Sequence, residues 1–407
     1  MKYIILAFLL AISVFTDARR YEAVSFSHEG LQVSARLSLP DAPPPYRAIV
    51  LVPGSGPNDK DCTFPVVGPN TDCLFPGLMG DTLRPYKGLS DALADAGYAV
   101  LTYDKLEYSY PTTLGTITFK KLWLPAMSGI GYLRSRSDIR GNDLVLLGHS
   151  EGSTLIPYMA KGDAGISAMI SLAGPRRSAY DTLLSYQILE ITKTCGGDTA
   201  AAKSQGAQLM YYFSLIRSGK WNSSTPPFAG VSASVWADYI KVADSVVINY
   251  NAFEKPRLFI GLGKDMNVPI ATELTAFRNE VKGRADFYEI PDLLHYLCTP
   301  TDPAVSKVLT DTIVSWLRRE LPPLGVGAVA GNTASAFRLQ RDGREWRLSS
   351  KTEALRHIMV YDSNGRQVYQ AEASGNSWKF HLPELAAGIY SLEVQGSKSR
   401  GVLRMSL

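Results

Sequence analysis

A chain of 407 residues with 45% hydrophobic content is long enough for one large domain and a smaller one, and two domains is the expectation this sets. The formal net charge is +4, with no dense Lys/Arg run and no basic strip interleaved with aromatics. A nucleic-acid partner is therefore not expected.

Residues 1–18 carry Lys2, an apolar run over residues 3–15 and a candidate cleavage site after Thr16-Asp17-Ala18, the pattern of a secretory signal peptide. The run is shorter than the ~20 residues needed to cross a bilayer, which favours cleavage and export over a membrane anchor. An exported chain can oxidise its cysteines. Cys62 and Cys73 bracket a short Pro/Gly-rich loop, and a bridge there would restrain the unfolded loop by roughly 3 kcal/mol. Two independent thiols are the alternative, and the pairing among Cys62, Cys73, Cys195 and Cys298 stays open. Without a clustered His partner, this spacing gives no reason for a zinc site, and no metal or organic cofactor is expected.

Residues 21–27 and 31–39 alternate apolar and polar side chains around His28-Glu29-Gly30 and read as an antiparallel hairpin. A short apolar strand over 47–53 then delivers Gly54-Ser55-Gly56-Pro57-Asn58-Asp59-Lys60-Asp61, a loop whose small residues let backbone N–H groups approach a ligand. An amphipathic helix over 83–96 ends at Gly97, and a buried strand over 98–103 runs into Asp104-Lys105. A helix over 119–136, a strand over 144–148, a helix over 151–160 that Pro157 should bend, and a strand over 168–173 continue the alternation. Such alternation argues for an α/β fold with a mostly parallel sheet covered by helices on both faces.

Residues 175–254 interrupt this rhythm with a long, mainly helical stretch rich in Tyr, Phe and Trp, read as a cap over the catalytic edge whose aromatics mostly form its own core. The pattern resumes with a strand over 257–263, a helix over 270–281, a strand over 285–290 and a helix over 302–319 that Pro322-Pro323 stops. The α/β part is thus assigned to residues 19–320 and a linker to 321–333. Beyond the linker, over 334–407, short strands separated by turn signals such as Asp362-Ser363-Asn364-Gly365 predict a small β-sandwich.

The stretch Leu144 to Thr154 organises the chemistry. Four apolar residues run into Gly148-His149-Ser150-Glu151-Gly152 and a helical segment follows, which is the strand, sharp turn and helix of a nucleophile elbow with Ser150 as nucleophile. Roughly 0.2 chance matches to G-x-S-x-G are expected in a chain of this composition, so the surrounding order must carry the inference. A serine hydroxyl needs a base, and elimination finds it: His28 precedes the core, His149 lies inside the elbow, and His357 and His381 fall in the β-rich tail. His295 remains, directly after the last sheet strand. The acid should fall between Ser150 and His295 at a strand end; Asp265 does, whereas Asp286 lies within a strand and Asp292 only just precedes His295. The oxyanion donors expected are the backbone N–H of Glu151 and one from the glycine loop, at Ser55 or Gly56.

Taken together, Gly148-His149-Ser150-Glu151-Gly152, Val52-Pro53-Gly54-Ser55-Gly56-Pro57-Asn58-Asp59, Tyr103-Asp104-Lys105 and Gly263-Lys264-Asp265 resemble the α/β-hydrolase superfamily, specifically bacterial serine esterases with a GSGPxDRD loop and a GHSEGG elbow. The likeness covers residues 20–320 and implies Ser150 as nucleophile, Asp265 as acid and His295 as base. The chain departs from it at Leu106-Glu107-Tyr108, where the family has R-G-x-G, and at Ser153, where it has the second glycine. The tail, through Ile358 to Gly365, Leu385 to Tyr390 and the basic, apolar finish from Arg400, resembles the C-terminal sorting domain of the type IX secretion system. These resemblances imply a secreted or surface-attached serine hydrolase, in transit through the periplasm, that acts on a small-molecule ester and whose tail engages the secretion machinery. A peptidase or thioesterase of the same fold, a catalytically silent surface binding protein, and a tail that is a generic accessory sandwich are the alternatives.

Overall fold

The computed structural model describes residues 19–113, 118–176, 179–228, 230–321, 337–342, 345–361, 367–382, 385, 389–398 and 400–406. The signal-peptide reading, nearly all of the linker and the turn at Asp362 to Gly365 lie outside them. The chain divides into two compact units, Met1–Val314 and Ser315–Leu407.

The first unit is built on an eight-stranded sheet. Its strands are β1 (Arg20–His28), β2 (Leu31–Leu39), β3 (Tyr46–Val52), β4 (Ala99–Tyr103), β5 (Ile139–His149), β6 (Ile166–Leu172), β7 (Arg257–Leu262) and β8 (Ala285–Ile290). They lie in the order β1-β2-β4-β3-β5-β6-β7-β8. The predicted hairpin forms, with β1 antiparallel to β2 and β2 antiparallel to β4, while β4 to β8 through β3 pair in parallel. Every residue of β3, β4 and β7 is buried, which is why these strands read as continuous apolar runs rather than alternating ones.

Helices α1 (Pro85–Asp95), α2 (Phe119–Arg134) and α3 (Glu151–Met159) occupy the connections, as the helical periodicity predicts. Pro157 sits inside α3 and cannot donate to the carbonyl of Ser153; the hydroxyl of Tyr250 donates to that oxygen instead, at 2.6 Å. The insertion between β6 and β7 forms α4 (Ala179–Thr194), α5 (Thr199–Arg217), α6 (Ala233–Ala243) and α7 (Val246–Asn251). Asp198 caps α5 by accepting from the amides of Ala200 and Ala201, and the side chain of Ser232 accepts from Val235 at the start of α6. Phe213 and Trp236 are buried in a cluster of the insertion's own, so its aromatics behave mainly as core. Helices α8 (Glu273–Glu280) and α9 (Lys307–Glu320) follow.

Of the two alternatives for Cys62 and Cys73, a mutual bridge or two independent thiols, neither describes the structure. Cys73 pairs with Cys195, 122 positions away at the end of α4, with Cα atoms 5.1 Å apart. Cys62 turns into the interior against Asn58, with φ of 53°, and burial pushes its thiol up to about 12. It and Cys298 are both buried and free.

The second unit holds the predicted tail strands, β9 (Phe337–Asp342), β10 (Glu345–Ser350), β11 (Leu355–Tyr361), β12 (Gln367–Glu372), β13 (Ser377–Phe380), β14 (Ile389–Gly396) and β15 (Arg400–Ser406). They form sheets β9-β10-β13 and β12-β11-β14-β15. Trp346, Leu348 and Phe380 from one sheet share a core with Ile358, Val360 and Leu392 from the other, which makes the unit a small sandwich.

Candidate active site

Because β3 to β8 run in parallel, their C-terminal ends meet at one edge of the sheet. That edge receives the glycine loop after β3, Asp104-Lys105 after β4, Ser150 after β5, the helical insertion after β6, Asp265 after β7 and His295 after β8.

Ser150 stands between β5 and α3 with φ of 53°, in the left-handed region that a side chain normally avoids. Its amide donates to the carbonyl of Leu172 at 2.9 Å and its carbonyl accepts from the amide of Ser153 at 2.9 Å, so the strained turn is held from both sides. A β-carbon on Gly148 would lie 2.4 Å from the carbonyl oxygen of Gly152, and one on Gly152 would lie 2.1 Å from that of Val52. Both glycines are therefore imposed by close backbone approach. Ser153, where the resemblance expects glycine, is accommodated by donating its hydroxyl to the carbonyl of Gly148 at 2.6 Å.

His295 and Asp265 lie side by side. The His295 Nδ1 lies 2.7 Å from Asp265 Oδ2. A carboxylate only accepts, so Nδ1 carries the proton and Nε2 of the neutral ring keeps its lone pair. The other carboxylate oxygen accepts from the amides of Asn267 and Val268 at 2.7 and 2.9 Å, and the Asp265 side chain is fully buried. Asp292, by contrast, points outward with its side chain 76% exposed beside Lys264. The main chain of His295 is tied to the elbow: the His149 Nε2 lies 2.9 Å from the carbonyl oxygen of His295, and the two rings are 4.7 Å apart.

The glycine loop abuts the elbow, since a β-carbon on Gly54 would come within 3.1 Å of Ser150 Cβ. Its amide at Gly54 donates to the Tyr86 hydroxyl at 2.8 Å, and its carbonyl accepts from Lys105 Nζ at 3.0 Å and from Asn58 Nδ2 at 3.1 Å. The Gly54 N–H is thus engaged within the protein. Glu151 begins α3, where backbone N–H groups point out along the helix axis. Its side chain meets the buried Lys105 Nζ at 3.3 Å, and Lys105 also lies 3.5 Å from Glu107. The sequence marks Asp104-Lys105 only as part of a motif and His149 only as an elbow residue set aside as the base, and it does not single out Tyr86; nothing in their spacing announces the hydrogen bonds that join them.

Residues 345–405 match the secretion system C-terminal sorting domain family. A stretch of 170 residues is 28% identical to Esterase EstD of Thermotoga maritima and covers 42% of this chain, though only 36% of that protein. Among solved structures, Est1E from Butyrivibrio proteoclasticus aligns over 73% of this chain and 98% of its own with 15% identity and a TM-score of 0.47. An acylaminoacyl peptidase of Pyrococcus horikoshii aligns over 76% of this chain and 43% of its own, with 14% identity and a TM-score of 0.49. The sheet order and the sharp turn after the fifth strand give the first unit the α/β-hydrolase fold, and residues 345–405 of the second match the secretion system C-terminal sorting domain.

Proposed function

We propose that the chain is a secreted serine hydrolase that cleaves carboxylic esters through an acyl-Ser150 intermediate. The observation that carries this reading is the pairing of His295 Nδ1–H with a buried, doubly amide-bonded Asp265, on a loop tied through the His295 carbonyl to His149, the residue before the strained elbow serine. In the reaction, His295 Nε2 takes the Ser150 hydroxyl proton as the oxygen attacks the ester carbonyl. The backbone N–H of Glu151 and that of Ser55 or Gly56 hold the oxyanion. The imidazolium returns the proton to the departing alkoxide, and a water activated by the same nitrogen then releases the acid and regenerates Ser150. Asp265 keeps the ring in the productive tautomer and stabilises its charge. An ester is preferred to an amide because its leaving group is better, and the name of the T. maritima relative agrees with that preference.

The sorting domain supports export through the type IX system to the cell surface or medium, with the hydrolase domain ending near residue 320 and the tail beginning near residue 334. The test is to screen the purified protein against p-nitrophenyl esters of graded acyl length alongside aminoacyl amides and thioesters, with Ser150→Ala as the control. Ester turnover that disappears in Ser150→Ala is expected. Amide cleavage far above ester cleavage would make the protein a peptidase, and turnover that survives in Ser150→Ala would overturn the assignment.

A further inference from the structure

We propose that Tyr86 and His149 act as a positioning relay that holds the oxyanion loop and the base loop in register across the elbow, an inference that rests on the serine-hydrolase reading above. The direction of every bond in the relay follows from its partners. A carbonyl oxygen only accepts, so His149 Nε2 must carry the proton that it donates to His295 O at 2.9 Å. His149 is buried, and burial together with His295 nearby holds it well below the ordinary 6.5, so the ring bears a single proton. Its Nδ1 is then an acceptor, and the Tyr86 hydroxyl 3.0 Å away is the donor. The oxygen of that hydroxyl in turn accepts the Gly54 N–H at 2.8 Å. The chain of donors runs from Gly54 through Tyr86 and His149 to His295.

Each end of the relay bears on a group that the reaction uses. At the oxyanion loop, Gly54 is held through its N–H by Tyr86 and through its C=O by Lys105. In a trans peptide the carbonyl and the following N–H point in opposite directions, so the Gly54 carbonyl aimed at Lys105 fixes the direction of the Ser55 N–H. At the base loop, anchoring the His295 carbonyl fixes the main chain while Asp265 fixes the ring at Nδ1. A buried histidine serving only as filler would need partners of some kind; here one partner is the main chain of the base loop, and the other, Tyr86 on α1, itself holds the oxyanion loop through Gly54. Tyr86 is well placed to be rigid, since it follows Pro85 at the start of α1, is buried, and donates its own amide to the carbonyl of Asp61 at 3.2 Å.

The experiment compares Tyr86→Phe, His149→Leu, His149→Gln and the double variant Tyr86→Phe/His149→Leu in the full-length protein, measuring kcat and KM separately on a p-nitrophenyl ester together with the melting temperature. Tyr86→Phe and His149→Leu are expected to lower kcat by about 10- to 100-fold with little change in KM, because misplacing catalytic groups by a fraction of an ångström acts on the transition state. His149→Gln, which can still donate to the His295 carbonyl, should recover at least about tenfold of the loss seen in His149→Leu. The double variant should be little worse than His149→Leu alone, since the residues act as one unit. If His149→Leu does not fold, Tyr86→Phe and His149→Gln decide between themselves. A folded Tyr86→Phe enzyme with normal kcat, losses confined to KM, or additive losses would overturn the relay. Ser150→Ala separates the two levels: an active Ser150→Ala protein sinks the hydrolase reading and the relay with it, whereas an inactive one beside an unimpaired Tyr86→Phe sinks the relay alone.

Discussion

At the scale of single residues, the carboxylate of Asp265 has its Oδ2 on the His295 ring and its Oδ1 on two backbone amides. Asp265→Asn replaces an acceptor by an amide that can donate to the ring and favour the wrong tautomer, so kcat should fall by about 1000- to 10,000-fold while the fold persists. Asp292→Asn, at an exposed position beside Lys264, should stay within about twofold of the wild type. A reversed order in steady-state kinetics would mean that the acid has been misassigned. His149 gives a pH signature of a different kind. Its native proton affinity is depressed below the ordinary 6.5, so above that pH native and unfolded chains are both neutral there. Below it the unfolded chain takes up a proton that the native chain refuses, and stability falls with acidification by up to about 1.4 kcal/mol per pH unit until the depressed native value is reached. Denaturant titrations at a series of pH values should show a shallower acid loss for His149→Gln than for the wild type.

At the scale of elements, the elbow tolerates no added carbon. Gly152→Ala would press a methyl group against the carbonyl of Val52, at a cost of roughly 3 kcal/mol or more, and should be visible as a lowered melting temperature together with lost turnover. The bond between Cys73 and Cys195 closes a loop of sequence separation 122, for which chain entropy gives at most about 5 kcal/mol. Non-reducing peptide mapping should recover a cross-linked pair containing these two residues, and Cys195→Ser should lower stability without removing any group of the site. Most strands and helices were legible because burial on two faces leaves continuous apolar runs and burial on one face leaves a period. Ser150, Asp265 and His295 were legible as candidates because chain order and strand ends restrict where each can sit. The disulfide was not, since four cysteines leave the pairing open and proximity along the chain favoured Cys62. Nor was the Tyr86 and His149 pair, whose meaning lies in hydrogen bonds between loops far apart in sequence.

At the scale of the whole chain, the tail supplies none of the proposed catalytic groups. Deleting residues 334–407 should leave esterase activity intact in the purified protein and hold the enzyme inside the cell, as read by fractionation; a truncated protein that still reached the medium in normal amounts would reject the sorting role. The sheet order carries a further consequence for time. β7 pairs with β6 although the whole helical insertion separates them, so that pairing must close a long loop before the strand can dock. The strand before Ser150 needs only partners already synthesised on one side, whereas Asp265 and His295 wait for the last third of the hydrolase domain. On the proposed assignment, a chain emerging from its N-terminus therefore passes through a stage that owns a serine but no means of activating it, and it stays chemically silent until its hydrolase domain is nearly complete. Nascent chains arrested at residue 256 should accordingly take up no fluorophosphonate probe, while chains arrested beyond residue 320 should label at Ser150.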